Sequence, residues 1–439
     1  MADNGSAGLS ESDAGAQRHQ LLQRFLRVRS ATERLVRDLE PEDFVLQAMP
    51  DASPVRWHLA HTSWFFETFV LGEHIPGYEV FDPQYCFLFN SYYEAVGERW
   101  ARPDRGLLSR PTVREIMAYR EAITEQTAAL FDSLGSEQWD VVRPLIELGI
   151  NHEEQHQELL CTDLKAAFGL NPVYPVAMPL PADHAMMTAS SGAAANERWI
   201  TFEGGLHQIG VEPESGFSFD NEQPRHKVWL EDFALHGTPV TAGGFLDFIE
   251  DGGYETPSLW LSDGWDWVQR ETIRAPLYWH QIDGAWFEFT LHGLIPLQRD
   301  RILAHISAYE AFAYAAWAKA RLPYEGELEL ALSQLDPSSG QWLDPVGFIH
   351  PRLAGRDQGL GSAYGSVWDW TQSAYTAYPG YRAAEGAIGE YNGKFMSSQL
   401  VLKGGSCATP AGHVRPSYRN FFPPHARWQF TGLRLARDV

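Results

Sequence analysis

Three histidines combine the residue type and the spacing that could bind one metal ion. His152 and His156 lie four residues apart in NHEEQH, residues 151–156. Side chains four residues apart share one face of a helix, so both imidazoles can reach the same ion. The third is His61, on the apolar face of another helical segment, where an unpaired imidazole would be costly to bury. If the two helices face a common core, the three imidazoles form a metal site.

The same residues leave two other interpretations open. HExxH, residues 152–156, is also the pattern of zinc proteases, in which Glu153 would be the general base. Such a helix normally has its third ligand downstream, whereas His61 lies upstream. In a non-catalytic binding module the histidines would only pack. Three imidazoles leave about three positions open on an octahedral metal, which suits Fe(II) and O₂ better than four-coordinate zinc; Glu153 and Glu154 are then solvated groups or supports for the ligands.

Two aromatic segments could complete such a site. Tyr92 and Tyr93 lie in a long connection, residues 72–110, which is too aromatic to be disordered and which we interpret as a site-building loop. A tyrosine close to an iron–oxygen unit can donate a proton, because its phenol has a pKa of about 10; the alternative role is packing. The second segment, NFFPP at residues 420–424, offers ring faces that suit a flat, cationic ligand.

Four amphipathic segments predict the helices that position these residues. They begin near Gln17, at Pro54, at Thr112 and near Pro144, and the last is expected to end at Gly169. Pro54 itself marks the start of the second helix, and a capping-box sequence, TVRE, marks the start of the third. This pattern predicts a four-helix bundle.

The predicted domain boundaries follow from composition. Residues 1–17 are predicted to be disordered, residues 18–180 to form the bundle and the Ala/Ser/Gly-rich residues 181–196 to form a linker. Residues 197–439 contain short β-type runs, interrupted by helical stretches near 241–250 and 308–320. Their pattern predicts a loop-rich α+β domain.

Charge and cysteine content exclude several classes of protein. The 439 residues include 34 Lys and Arg against 57 Asp and Glu, a net charge of −23 that argues against nucleic acid or an anionic membrane as partner. The sequence contains no apolar run of about 18 residues. Three cysteines cannot form a disulfide framework, so we expect a cytoplasmic protein. The oligomeric state is not predicted.

Several longer motifs resemble those of one enzyme family, the ergothioneine-biosynthetic sulfoxide synthases. The matching motifs are WHLAHT at 57–62, FNSYYEAVG at 89–97, HEEQH at 152–156, GGSCAT at 404–409 and YRNFFPP at 418–424. The resemblance covers nearly the whole chain after the first 17 residues. It implies an N-terminal DinB-like four-helix bundle and a C-terminal domain like the formylglycine-generating enzyme, which has a C-type-lectin-like fold.

The resemblance also implies roles for particular residues. His61, His152 and His156 match the three ligands of a non-haem iron, with O₂ as co-substrate. Tyr92 and Tyr93 match the proton-donating tyrosines of the cysteine-using subgroup.

A second set of matching residues concerns the substrate. Gln155 and Asn420 match residues that contact hercynine, the trimethylammonium betaine of histidine, and Phe421 matches an aromatic residue beside it. Phe422 takes the next position, where the subgroup that uses γ-glutamylcysteine has Asp. We therefore expect a thiol donor resembling cysteine.

Two segments depart from the family pattern. Residues 323–329 read PYEGELE where many members have PTEAEWE, and residues 303–309, LAHISAY, also differ. A changed scaffold beside an intact metal site is typical of a paralogue with another second substrate. The alternative is therefore a selenoneine synthase, which joins hercynine to a selenosugar. Either enzyme would form a carbon–sulfur or carbon–selenium bond at C2 of the imidazole of hercynine.

Overall fold

The computed structural model describes residues 11–179, 198–213, 215–344, 347–353, 359–385 and 387–439. The chain divides into two compact units. The helical unit comprises Met1–Ser91 and Gly97–His156, and the sheet unit comprises Tyr92–Val96 and Gln157–Val439. The predicted linker, 181–196, lies outside the described residues.

Five helices precede the first strand in the described chain. They are α1 (Glu11–Leu35), α2 (Val55–Phe66), α3 (Tyr85–Phe89), α4 (Val113–Ser133) and α5 (Ser136–Gly169). The four long ones correspond to the predicted bundle helices. The division between the two units falls within α5, after His156.

The first helix begins earlier than the sequence predicts. Residues 11–17 are helical, so the prediction of disorder over 1–17 is wrong for them, and residues 1–10 lie outside the described part of the chain. Arg18 anchors this end of α1. Its guanidinium donates to the carbonyls of Phe131 (3.2 Å) and Leu134 (3.0 Å), and it lies 4.3 Å from the ring centroid of Trp139. Once a helix is anchored, adding residues to its end costs little free energy.

Helices α2 and α4 begin where the sequence predicts. Pro54 precedes α2, and Thr112 forms a capping box with Glu115. In contrast, α5 begins at Ser136 and includes Pro144, which was expected to start it. The added turns bury Trp139 against Phe131, with ring centroids 5.1 Å apart, and this burial offsets the hydrogen bond that proline removes.

A single glycine allows α5 to approach α2 closely. A β-carbon on Gly149 would lie 2.6 Å from the ring of Phe66, so any larger residue would force the two helices apart. Phe66 also contacts Phe25 of α1, with ring centroids 5.1 Å apart. The apolar core of the helical unit therefore brings α1, α2 and α5 together at this level.

The long connection after α2 is ordered by one buried carboxylate. A π-helical segment, Glu67–Gly72, continues α2. The Glu67 carboxylate accepts hydrogen bonds from the Tyr78 hydroxyl (3.1 Å), the Phe81 amide (2.7 Å) and the Tyr119 hydroxyl of α4 (2.5 Å). This carboxylate fixes the start of the connection, and α3 and a 3₁₀ turn, Arg102–Leu107, follow.

The sheet unit is a mixture of short strands and short helices. Its strands are β1 (Trp199–Phe202), β2 (Gly205–Ile209), β3 (His226–Leu230), β4 (Phe233–His236), β5 (Trp279–Ile282), β6 (Ala285–Thr290), β7 (Gly293–Pro296), β8 (Trp368–Ala374), β9 (Leu400–Lys403), β10 (Asn420–Phe422), β11 (Thr431–Gly432) and β12 (Ala436–Asp438). Its helices after α5 are α6 (Ala242–Glu250), α7 (Ser262–Arg270), α8 (Ala308–Trp317) and α9 (Glu325–Leu332). The described strands form sheets in the orders β1-β4-β12, β10-β9-β8-β11, β2-β3 and β5-β6-β7.

The predicted helical stretches near 241–250 and 308–320 correspond to α6 and α8. Helices α7 and α9 were not predicted, and Gly326 lowers the intrinsic helix propensity of α9. Glu325, Glu327 and Glu329 of α9 are all buried. They form ion pairs with Arg419 (2.6 Å), Arg321 (2.7 Å) and Lys403 (2.8 Å), respectively. The off-pattern segment 323–329 is therefore an element held by buried charges.

The GGSCAT motif is held to the last turns of α5. The buried carboxylate of Glu158 accepts hydrogen bonds from Ser406 Oγ (2.5 Å), Thr409 Oγ1 (2.6 Å) and Trp368 Nε1 (2.8 Å). Cys161 and Cys407 are buried free thiols. None of the helices in the described residues has the length and apolar character needed to span a membrane.

Stability should fall in acid partly because of His292. Its Nδ1 faces the carbonyl of Met178 (2.9 Å) and its Nε2 accepts from the Ile349 amide (3.2 Å), so the neutral ring uses both nitrogens. Burial, the main cause, lowers its pKa to about 4 from an ordinary 6.5. Below pH 6.5 the unfolded chain binds a proton that the folded one does not, so this residue destabilises the fold progressively between pH 6.5 and about 4, by about 3 kcal/mol in total. The urea midpoint should therefore fall less steeply over this pH range in His292→Gln than in the wild type. An identical fall in both would show that His292 does not cause the loss of stability.

Candidate metal centre

The three predicted ligands come together between α2 and α5 in the helical unit. One ligand nitrogen from each of His61, His152 and His156 lies within 4.8 Å of the others, and the Nε2 atoms of His61 and His152 are 3.2 Å apart. All three side chains are buried. No other group of three His, Cys, Asp or Glu side chains within the described residues comes this close together.

The ring of His61 is fixed on both faces and at one nitrogen. Trp57 and Trp64 stack on it at centroid distances of 4.4 and 5.4 Å, both with interplanar angles of 15°. The carbonyl of Phe89, at the end of α3, lies 2.6 Å from its Nδ1. A carbonyl can only accept, so Nδ1 carries the proton and Nε2 keeps the lone pair that a metal would need.

A fourth histidine orients His156. The Nδ1 atoms of His58 and His156 are 2.8 Å apart, and both rings are buried. When Nδ1 of His156 is the donor in this pair, its Nε2 keeps the lone pair that a metal would need. The sequence contained a signal for this residue, since His58 precedes His61 by three positions in one helix, but no role was predicted for it.

The electrostatics of the site favour neutral imidazoles. Burial lowers the pKa of His61 and His156 well below the ordinary value of 6.5, and the neighbouring imidazoles lower both further. Burial also lowers the pKa of His152, to about 3. Metal ions bind the neutral form, so no proton has to be displaced at neutral pH. Three neutral imidazoles whose ligand nitrogens lie within 4.8 Å of one another suit a divalent transition metal.

The predicted tyrosines and aromatic residues belong to the sheet unit. The rings of Tyr92 and Tyr93 stack with centroids 4.8 Å apart. Phe395 contacts Tyr92 at 5.3 Å and Phe421 at 6.0 Å, and Phe421 stacks on Tyr375 at 4.0 Å. Phe395 therefore joins two segments that are more than 300 residues apart in the sequence. No sequence signal pointed to it.

The remaining predicted site residues occupy two places. Asn420 and Phe422 lie on β10 with Phe421, and Asn420 Oδ1 accepts from the amide of Phe421 (2.9 Å). Phe422 contacts Trp428, with ring centroids 6.0 Å apart. Gln155 is half-buried on α5, one residue before His156.

Comparison with known proteins identifies both parts of the chain. The DinB superfamily model matches residues 24–160, and the sulfatase-modifying factor enzyme 1-like domain matches residues 185–342 and 338–439. A protein of Mycobacterium tuberculosis named hercynine oxygenase is 32% identical over 96% of this chain and 99% of its own. The protein of the same name from Mycolicibacterium smegmatis is 31% identical over 93% and 97%, respectively. Ergothioneine biosynthesis protein 1 of Schizosaccharomyces pombe is 27% identical over 51% of this chain and 28% of its own length.

The chain belongs to the ergothioneine sulfoxide synthase family. Membership confirms the resemblance read from the motifs. It also confirms the predicted fold class, an α+β protein with a DinB-like helical part and a sheet-rich domain like the formylglycine-generating enzyme.

Glu153 is not placed to act as the general base that a zinc protease would require. Its carboxylate lies 2.8 Å from Arg29 Nη1 and 2.7 Å from Thr32 Oγ1, and it also binds Arg120. The group is fully buried, and the two guanidinium groups outweigh the opposing effect of burial and lower its pKa to about 2. A carboxylate held in this way cannot act as a general base for a bound water.

Of the two roles considered for Glu153 and Glu154, that of solvated groups is wrong. Glu154 is also buried, and it pairs with Arg24 of α1 at 2.9 Å. Helix α1 covers this side of α5, which the sequence of α5 alone could not show.

Replacing His58 should weaken metal binding without removing a ligand. In His58→Leu the Nδ1 atom of His156 loses its partner, so we expect the dissociation constant for Fe(II) or Co(II) to rise by about 10- to 100-fold. Anaerobic titration, followed by the absorption bands of Co(II), measures this change. His19→Leu, at an exposed position on α1, is the control. Unchanged affinity in His58→Leu would show that His58 only packs.

Proposed function

We propose that this protein is an Fe(II)- and O₂-dependent enzyme that forms a carbon–chalcogen bond at C2 of the imidazole of hercynine, with a cysteine-like thiol as the donor. One observation carries the proposal: three buried, neutral imidazoles converge from two helices. The near full-length relatives named hercynine oxygenase support the choice of substrate. We further propose that the enzyme works in the cytoplasm and needs neither nucleic acid nor a membrane.

His61, His152 and His156 would hold the metal. Fe(II), when bound, would supply the activation of O₂ and leave about three positions for the substrates. The protein residues keep the ligands neutral and their rings fixed before the metal arrives. Trp57, Trp64 and the Phe89 carbonyl do this for His61.

Hercynine carries a permanent trimethylammonium group, which aromatic ring faces attract. We propose that Phe421 and Phe422 recognise this group, and that Asn420 and Gln155 supply hydrogen bonds. Phe421 is held in place by stacking on Tyr375.

Tyr92 or Tyr93 would donate a proton during the reaction. Tyr93 is fully buried, and burial, with Tyr92 beside it, raises its pKa well above the ordinary value of 10. The phenol therefore keeps its proton at neutral pH and releases it only to a strong base. Tyr92 is half-buried.

A selenosugar is the alternative donor. Two segments that depart from the family pattern support it, and both contain buried titratable side chains. In the first, His305 Nε2 lies 2.8 Å from Nζ of Lys165 on α5, and in the second Glu325, Glu327 and Glu329 form ion pairs. A changed scaffold of this kind would accompany a changed second substrate.

The experiment that tests the function is a donor comparison. Protein reconstituted anaerobically with Fe(II) is given hercynine and O₂ with cysteine, γ-glutamylcysteine, a 1-thiosugar or a 1-selenosugar, and the products are read by mass. We expect a hercynine–cysteine sulfoxide. If only the selenosugar gives a product, the donor is a selenosugar and not a cysteine-like thiol. Absence of hercynine-dependent O₂ uptake with every donor would overturn the proposal.

Removal of one ligand should abolish turnover. His61→Ala is expected to lose tight Fe(II) binding and to lower kcat by at least about 10³-fold, because the remaining two imidazoles no longer define the metal position. His19→Ala should behave as the wild type. Full turnover of His61→Ala with added iron would show that the site is assigned wrongly.

The tyrosines should control proton transfer and leave metal binding intact. Removing a general acid typically lowers the rate by about 10²- to 10⁴-fold, so we expect such a loss, or a change of product, in either Tyr92→Phe or Tyr93→Phe. Tyr85→Phe is the matched control, since Tyr85 is a buried tyrosine of the same connection. If both variants keep the wild-type rate and product, these tyrosines only pack.

A further inference from the structure

A short segment near the C-terminus holds the loop that carries the two tyrosines. Both oxygens of the Glu390 carboxylate accept hydrogen bonds from that loop, one from the amide of Glu94 (3.0 Å) and one from the amide of Ala95 (2.9 Å). Two successive backbone amides thus bind one carboxylate. Such a pair of bonds fixes the direction of the loop, because both amides must point the same way.

Lys394 completes the contact from the same segment. Its ammonium donates to the carbonyl of Tyr92 and to Glu390, with 3.0 Å between Lys394 Nζ and Glu390 Oε2. It also lies 5.0 Å from the ring centroid of Tyr92. The loop is therefore bound at the carbonyl of Tyr92 and at the amides of Glu94 and Ala95.

Aromatic contacts position the Tyr92 ring itself. Tyr391 and Phe395 contact it edge-on, with centroids at 6.1 and 5.3 Å. The four residues that hold the loop thus come from six consecutive positions, 390–395. We call Glu390 and Lys394 the loop clamp.

We propose that the loop clamp is a positioning device for proton donation: Glu390 and Lys394 hold the loop in the one conformation from which Tyr92 or Tyr93 can deliver its proton. The proposal rests on the proposed function, because it assumes that a loop tyrosine is the donor. It assigns to both residues a role in the rate of turnover and none in binding the metal.

An ordinary surface ion pair would not have this role. Exposed pairs four residues apart in sequence contribute little, and Arg143 with Glu147 is such a pair in this chain, at 3.5 Å. The Glu390–Lys394 pair has the same spacing, but each member also binds the backbone of a loop about 300 residues away. Both side chains are partly exposed, so salt should weaken the clamp.

The test compares four variants of the full chain reconstituted with Fe(II). Lys394→Met and Glu390→Gln break the clamp, since Gln can accept through one oxygen only. Lys394→Arg keeps the charge and should restore function. Arg143→Met is the matched control. Hydrogen exchange at the amides of Glu94 and Ala95 reports the loop directly, and steady-state kinetics with hercynine report its effect.

We expect amide exchange at Glu94 and Ala95 to rise by about tenfold or more in Lys394→Met and Glu390→Gln. We expect kcat to fall by about tenfold or more, with the KM for hercynine and the Fe(II) dissociation constant unchanged. Lys394→Arg and Arg143→Met should match the wild type in all four measurements.

Two results would overturn the proposal. Unchanged exchange would show that the clamp does not order the loop, and faster exchange with unchanged kcat would show that the ordered loop is not needed for turnover. Failure of the proposed function is distinguishable, because the wild type itself would then make no product from hercynine. In that case the positioning role fails with it, while the exchange measurement still decides whether the clamp orders the loop.

Discussion

The rotation of α5 about its own axis depends on one buried carboxylate. Glu153 binds Arg29 of α1 and Arg120 of α4, and all three side chains are buried. A buried carboxylate without these partners would be strongly destabilising, so the helix cannot turn away from them. His152 precedes Glu153 directly and His156 follows one turn later. The pairing of Glu153 on one face therefore directs both imidazoles towards α2, where Gly149 permits the close approach that the site requires.

The same burial that makes the site rigid also sets its chemistry. Imidazoles removed from water stay neutral, and two of the three have Nδ1 engaged, one by the Phe89 carbonyl and the other by His58. The direction in which each ring offers its lone pair is thus chosen by residues that never touch a metal. The imidazoles are ordered when the protein folds, so metal binding requires little further reorganisation.

Local patterns in the sequence were sufficient to predict that three histidines come together and where several helices begin. His61, His152 and His156 were found because helical spacing places side chains on a common face, and Pro54 and Thr112 because helix starts have local signatures. Features that depend on contacts distant in sequence were missed. The start of α5 depends on Trp139 packing against Phe131, and the partners of Glu153 come from two other helices. The joining of Tyr92 to Phe421 through Phe395 has no local signature at all.

The division of the chain has a consequence for how such an enzyme can change during evolution. Tyr92–Val96 belongs to the sheet unit although the residues on both sides of it belong to the helical unit, and α5 is shared between the two. Neither unit is a contiguous stretch of sequence. A single recombination point between relatives would therefore leave one unit with part of its chain inherited from a different parent. Exchange of a whole unit between relatives would need crossovers at three places, after residues 91, 96 and 156.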